Sequence, residues 1–355
     1  MKKKILSAVM AGIMVLSLAA CSSSGTSDTA GETQAPVASD DLKIGIVLVG
    51  DENEGYTYAH IKGVQEAAKS LSISDDQIIW KYSVGEDQSC YDACMELADE
   101  GCQLVVTNSY GHQSYIQQAA EEVSDVTFVS MTGDTAAVSG LSNFKNAFTN
   151  VYQSRYVSGV VAGMKIAELA EEGKLSDDNY DADGNVKVGY VGAYPYAEVV
   201  SGYTAFYLGI KSVYEDVAME VKYTNSWFNI TAEAEAANAM ISDGCVIIGQ
   251  HADSTGAPSA VQAALEDGTV CYSVGYNVDM LEVAPDAALT SATNNWSVYY
   301  TYLFDCMLKG ETVKTDWAEG YESGAVAITA LGASCAEGTA DRVAEVEASI
   351  KSGDL

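Results

Sequence analysis

The chain has 355 residues, 48% of them hydrophobic, enough to build two packed domains of ordinary size. A formal net charge of −32 excludes nucleic acid and a basic membrane-surface patch, because phosphate binding needs clustered lysine or arginine. Four prolines and 31 glycines without periodic bias exclude a collagen-like chain and a wholly disordered one.

The N-terminal stretch differs in kind from the rest. Lys2, Lys3 and Lys4 form a positive start, and Ile5 to Ala20 is apolar but too short and small-sided at its end for a comfortable membrane span. Residues 1–21 therefore read as an export signal. Its last residues, Leu18-Ala19-Ala20-Cys21, resemble the bacterial lipobox, which implies lipidation of Cys21 and a membrane anchor on the extracytoplasmic face. Residues 22–41, rich in Ser, Thr, Gly and Ala, have too little large apolar surface to fold and read as a disordered tether.

From Lys43 onward, short apolar runs alternate with amphipathic stretches. The predicted strands are Lys43–Val49, Ile78–Tyr82, Leu104–Asn108, Val126–Met131, Val186–Val191, Met219–Tyr223, Val246–Gly249 and Cys271–Val274. The predicted helices are Thr57–Leu71, Ser89–Ala98, His112–Val123, Tyr152–Ala170, Tyr196–Tyr214, Thr231–Ile241 and Gly256–Leu265. Such alternation implies parallel sheets covered on both faces, and the polar break at Glu171–Asn185 starts a second set. The expectation is an α/β protein of two Rossmann-like lobes joined by a three-strand hinge. Lobe 1 takes residues 42–148 and 293–313, and lobe 2 takes 149–292 and 314–355. Asp134–Ser154, Ala288–Trp296 and Lys314–Ser323 are the expected crossings.

Asn179 to Gly184 fits the first half of a calcium loop, but Tyr190 stands where the bidentate glutamate belongs, so a solvated turn suffices. Cys21 aside, seven of the eight cysteines remain, with no C-x-x-C pair, which indicates neither a complete disulfide framework nor a zinc site.

Ligands in open α/β folds bind beyond the carboxyl ends of the strands. The loops there carry Gly55-Tyr56-Thr57-Tyr58, Asn108-Ser109-Tyr110, Tyr194-Pro195-Tyr196, Asn225-Ser226-Trp227-Phe228, Gln250-His251-Ala252-Asp253-Ser254, Tyr276-Asn277-Val278-Asp279 and Asn294-Asn295-Trp296. Rings beside amides and carboxylates suit a flat polar heterocycle, stacked on its faces and read along its edge. Lysine and arginine are almost absent from these loops, against a phosphate or carboxylate ligand.

With Tyr152-Gln153-Ser154-Arg155-Tyr156-Val157-Ser158-Gly159 and Pro195-Tyr196-Ala197-Glu198-Val199, these loops resemble the basic membrane protein family of substrate-binding lipoproteins that serve ABC transporters. The resemblance runs from about Lys43 to about Ile328. It implies the type I periplasmic-binding fold, capture of a purine base or nucleoside, and permease and ATPase partners. It is similar to the branch with a Gln-His-Thr-Asp-Ser loop, from which Ala252 departs. Tyr56 and Trp227 match stacking positions, while Asp253 and Asp279 match edge-reading carboxylates. Asn294 and Asn295 stand near where many nucleoside-binding relatives have a lysine, which favours a free base or another small heterocycle. The residues expected to touch ligand are Tyr56, Tyr110, Trp227, Asp253, Ser254, Asp279, Asn295 and Trp296, with no cofactor or metal and a monomeric receptor.

Two other readings compete. A surface nucleosidase would use Asp253 and Asp279 as its carboxylates, but His60, His112 and His251 are scattered and no His-Glu-x-x-His, G-x-S-x-G or Walker motif occurs. A receptor of the same fold for a sugar or signalling molecule would use the same loop chemistry.

Overall fold

A computed structural model describes residues 41–355. The export signal, Cys21 and all but the last residue of the tether lie outside the described residues.

The chain opens with β1 (Ile44–Val47), α1 (Gly55–Ser70), β2 (Ile78–Lys81), α2 (Gln88–Asp99), β3 (Leu104–Thr107), α3 (Gln113–Glu122), β4 (Thr127–Met131), α4 (Ala136–Ser139) and β5 (Phe144–Ala147). Every residue of β1, β3 and β4 is buried, as parallel strands covered on both faces require. A second series follows: α5 (Val151–Glu171), β6 (Val186–Gly192), α6 (Ala197–Lys211), β7 (Val217–Tyr223), α7 (Ile230–Ser242), β8 (Ile247–Gln250), α8 (Gly256–Glu266), β9 (Tyr272–Tyr276) and β10 (Ala288–Asn294). The chain then adds α9 (Trp296–Lys309), β11 (Asp316–Trp317), β12 (Val326–Ile328) and α10 (Thr339–Ser352).

These strands form two six-stranded sheets, ordered β11-β5-β4-β3-β1-β2 and β12-β10-β9-β8-β6-β7. The orders correspond strand for strand. Every pairing is parallel except β10 with β12. Helix α9 returns to pack on α1 beside the first sheet, and α10 packs on α5 beside the second. Three connections join the lobes, and they are tied together. Phe148 and Asn150 donate backbone N–H groups to Trp317 and Glu319, Asn295 donates to Ala325, and the Thr149 hydroxyl bonds the Asn294 side-chain oxygen.

Local chemistry sets the helix ends. The Asp87 carboxylate accepts from the Ser89 N–H at the start of α2, and Asn229 accepts from Ala232 at the start of α7. Helices α5 and α6 cross at near backbone contact: a Cβ on Gly159 would sit 2.1 Å from the Phe206 carbonyl oxygen. Glycine there is a steric requirement.

Four strands were hidden inside the expected crossings or the C-terminal stretch. Asp134–Ser154 holds α4 and β5, Ala288–Trp296 is mostly β10, Lys314–Ser323 contains β11, and β12 follows it. Strands β11 and β12 are only two and three residues long, and β5 and β10 carry buried polar residues, so no apolar run announces them. In β5 the Asn146 side chain accepts from the Ala136 N–H at 2.6 Å; in β10 the Ser291 N–H donates to Thr329 Oγ1 at 2.8 Å. The Asn179–Gly184 stretch is a turn closed on itself, with Asp181 Oδ1 accepting from the backbones of Asp183 and Asn185. The seven described cysteines are free thiols, six of them buried.

Candidate functional site

The carboxyl ends of the two sheets face a common narrow cleft lined from both lobes. The first lobe lines it with Glu54 and Tyr56 from the start of α1, Tyr110 after β3, Thr132 after β4, and Phe148 after β5. The second supplies Glu198 from the first turn of α6, Trp227 after β7, His251 and Asp253 after β8, and Tyr276 at the end of β9. The lobes touch across it. The Gly55 N–H donates to the Asp253 carbonyl at 3.4 Å, and the Tyr110 and Tyr196 rings lie 5.6 Å apart.

Each wall is held by its own scaffold. Tyr56 donates its hydroxyl to the Asn108 carbonyl at 2.5 Å, which fixes the ring over the end of β3. Trp227 belongs to an aromatic cluster with Tyr194 and Tyr196, at ring distances of 5.1 and 6.0 Å. The loop after β8 is pinned from within: Gln250 Nε2 donates to the carbonyls of Ala252 and Ser254 at 2.8 and 3.0 Å. The Ser254 N–H donates to Glu233 Oε2 at 3.2 Å, and Asn277 Nδ2 donates to Asp253 Oδ1 at 2.6 Å.

The second-lobe wall is backed by a buried cation. Arg155, on α5 and 1% exposed, places its guanidinium carbon 3.6 Å from the Tyr276 ring centre and donates Nη1 to the Gln250 carbonyl at 2.6 Å. Its Nε and Nη2 have no hydrogen-bond partner among the described residues. His251 Nε2 lies 3.6 Å from Glu198 Oε1, beyond hydrogen-bond length, and Glu198 Oε2 is unpartnered among the described residues.

Burial raises the carboxyls of this region together. It lifts Glu198 to about 7 against the pull of Arg155, and it raises Asp253 well above the carboxylate range, with Glu54, Glu233 and Glu198 adding repulsion. Glu54 and Glu233 are raised by burial as well. Burial and Arg155 push His251 well below its usual value, which keeps the imidazole neutral.

The expected ligand residues divide. Tyr56, Tyr110, Trp227 and Asp253 line the cleft together. Ser254, Asp279, Asn295 and Trp296 lie outside its lining, for reasons visible in their contacts. The Ser254 hydroxyl accepts from the Gly256 N–H at 3.1 Å at the entry of α8. Asp279 caps the next turn by accepting from Leu281 at 3.0 Å, and the exposed Asn295 donates to the Gly324 carbonyl at 3.1 Å across the hinge. Trp296, 1% exposed, stacks on His60 at 4.4 Å in the first-lobe core. Asp253 and Asp279 therefore face different hollows, so the carboxylate pair of the nucleosidase reading is not assembled.

Sequence reasoning placed Thr132, His251 and Tyr276 at strand ends without counting them as ligand residues, and it missed Glu54, Phe148 and Glu198 as lining residues, with Arg155 behind them. It judged cations almost absent from the strand-end loops. Among the described residues no lysine or arginine lines the cleft, but a helix brings Arg155 to the back of Tyr276. The segments Tyr152–Gly159 and Pro195–Val199 were the available signal, since they place an arginine at the start of the helix after the first expected crossing and a glutamate at a helix start beside a predicted strand end.

Two doubly wound lobes that share a cleft at their strand ends define a solute-binding protein of the periplasmic-binding fold. Solved structures of that class superpose on most of the chain. An ABC transporter solute-binding protein of Conexibacter woesei matches with a TM-score of 0.66 at 19% identity, over 88% of this chain and 97% of that one. Another, from Aeropyrum pernix, gives 0.73 at 13% identity, over 88% and 92%. The chain belongs to the PnrA-like (Bmp) family of ABC transporter substrate-binding proteins, whose family model matches residues 42–353. A purine-binding protein of Brucella abortus is 31% identical over 319 residues, covering 90% of this chain and 83% of the relative. A putative ABC transporter glucose-binding protein of Haloferax volcanii is 26% identical over 302 residues, covering 85% and 70%.

Proposed function

We propose that this substrate-binding protein captures a purine base or nucleoside between its lobes and hands it to an ABC permease and its ATPase. It works outside the cytoplasmic membrane as a monomer anchored through lipid on Cys21. The observation that carries the ligand reading is the placing of aromatic side chains on both walls of one cleft, Tyr56 and Tyr110 opposite Trp227 and Tyr276, with Asp253, Glu198 and Glu54 among them. Rings on two sides take the faces of a planar guest, and carboxyl groups take its N–H edge. The 31% identity to a purine-binding protein supports the same class. The protein's task is capture and release, with no bond made or broken.

A sugar is the second reading, favoured by the glucose-binding name of the Haloferax relative. A thermal-shift panel of adenine, guanine, adenosine, inosine, glucose and galactose on the full-length chain separates the two, because a ligand that binds only the folded state raises its melting temperature by mass action. Purines are expected to give the upward shift. A response to the sugars alone would replace the purine reading.

A further inference from the structure

Glu198 is the lining carboxyl with the least protein to satisfy it. It projects from the first turn of α6 into the cleft, its Oε1 stands 3.6 Å from the neutral His251, and its Oε2 is unpartnered among the described residues. The groups around it are Arg155 from α5, His251 and Asp253 from the loop after β8, Tyr276 from β9, Tyr56 from α1 and Tyr110 after β3. Arg155 is the lone cation of this set. It already stacks on Tyr276 and donates to the Gln250 carbonyl. A closed, occupied cleft strips water from Glu198 and leaves a carboxylate there facing Asp253 with nothing new to neutralise it.

We infer that Glu198 is a specificity-determining residue that binds the ligand as a neutral carboxylic acid, donating its O–H and accepting through its C=O along one edge of the ring. This rests on the purine reading of the cleft. A purine edge offers an acceptor nitrogen or oxygen beside an N–H donor, which a protonated carboxyl matches with two bonds and a carboxylate with one. No covalent bond changes. Above the titration of free Glu198 the proton comes from solvent, so the complex forms with proton uptake.

The sign follows. Free Glu198 titrates at about 7 and the complex holds the proton to higher pH, so affinity is level on the acid side of that point and falls as pH rises past it. One linked proton gives a fall approaching tenfold per pH unit. The test is calorimetric titration of the full-length chain with adenine at pH values from two units below to two units above that point, in two buffers of different ionisation heat. Expected are the alkaline fall and uptake approaching one proton per ligand above the titration point. E198Q imitates the neutral acid, so its affinity is flat with pH and exceeds that of the wild type at the alkaline end. It also separates Glu198 from Asp253 and Glu54, whose protons would leave the slope in place. E198A is weaker at the acid end by tenfold or more. A wild-type affinity that is level or rises with pH overturns the inference even if E198Q fails to fold, as does a slope that survives in E198Q. If no purine binds at any pH, the purine reading itself has failed, which is a separate result.

Discussion

The two lobes share one sheet order, yet their cleft walls are built differently. The first-lobe wall is mostly neutral and internally satisfied: Tyr56 is tied to Asn108, and Glu54, its one carboxyl, accepts from the Thr57 hydroxyl. The second-lobe wall gathers Glu198, Asp253 and His251 over a buried Arg155, with several polar atoms unpartnered among the described residues. A buried polar group without a partner costs free energy that a satisfied one does not. The contrast assigns shape and stacking to the first wall and reading of the ligand to the second. It also places the unpartnered polar atoms of the cleft lining in one lobe.

The largest effect expected is from Arg155→Ala. It removes a buried donor to the Gln250 carbonyl and the counter-charge of the second wall, and it leaves a hole beside Tyr276. Losses for a buried charged hydrogen bond and a desolvated cation–π contact together come to roughly 3 kcal/mol or more of stability. Urea unfolding checks it, and a change below about 1 kcal/mol would mean that the second wall does not depend on its cation.

A smaller loss tests whether the lobes share their helix-packing device. Helices α1 and α9 meet at Gly63, where a Cβ would come within 2.7 Å of Trp296 Cβ; α5 and α6 meet at Gly159, where it would come within 2.1 Å of a backbone oxygen. Both contacts end on backbone, Trp296 C at 2.9 Å and Ser297 N at 3.0 Å beside Gly63, so the closer approach at Gly159 is the harder one to relieve. Gly159→Ala should therefore lose about 1–3 kcal/mol, and Gly63→Ala less, in the same unfolding measurement. Reversal of that order would show that the second-lobe helices slide apart freely.

The same contrast between satisfied and exposed chemistry explains what could be read in the sequence. The eight predicted strands are all present because most are short apolar runs, while Met219–Tyr223 alternates apolar and charged residues at the strand period. Strands β5 and β10 went unseen because Asn146, Thr290 and Ser291 are buried in them with their polarity met by neighbours elsewhere in the chain. In the site, aromatics at strand ends were legible because a strand end fixes where a loop goes. Glu198 and Arg155 were not, since a residue on a helix faces the cleft only by virtue of how that helix packs. Asp279, Asn295 and Trp296 misled for the complementary reason: each sits at a strand end or crossing, but its side chain turns to a cap, a hinge carbonyl or the core.

Ligand affinity gives the third comparison. Trp227→Ala removes a ring from the second wall, and stacking worth roughly 1–3 kcal/mol per base makes the expected loss about tenfold or more for the best purine. Tyr56→Ala should lose at least as much, because the ring is also held in place by its hydroxyl bond to Asn108. Calorimetry on the pair decides whether both walls stack. An unchanged affinity in either removes that ring from the site.

The smallest single effect is expected at Thr132, one of two equivalent residues after the fourth strand of each sheet core. Thr132 follows β4 and Asn277 follows β9, and both are left-handed, with φ of 59° and 63°. Asparagine tolerates that conformation, but a β-branched residue does not do so readily. Asn277 also uses its amide to hold Asp253, whereas the Thr132 hydroxyl donates to the carbonyl of Met131, at 2.6 Å, and pairs with the Tyr56 hydroxyl. The swap should therefore be asymmetric. Thr132→Asn gains up to about 1 kcal/mol by relieving strain, whereas Asn277→Thr loses roughly 1–3 kcal/mol by leaving the buried Asp253 without its donor. Equal and opposite shifts in melting temperature would mean that backbone conformation alone governs both positions. The larger loss at Asn277 would tie the second wall's stability to the carboxyl that it presents to the cleft.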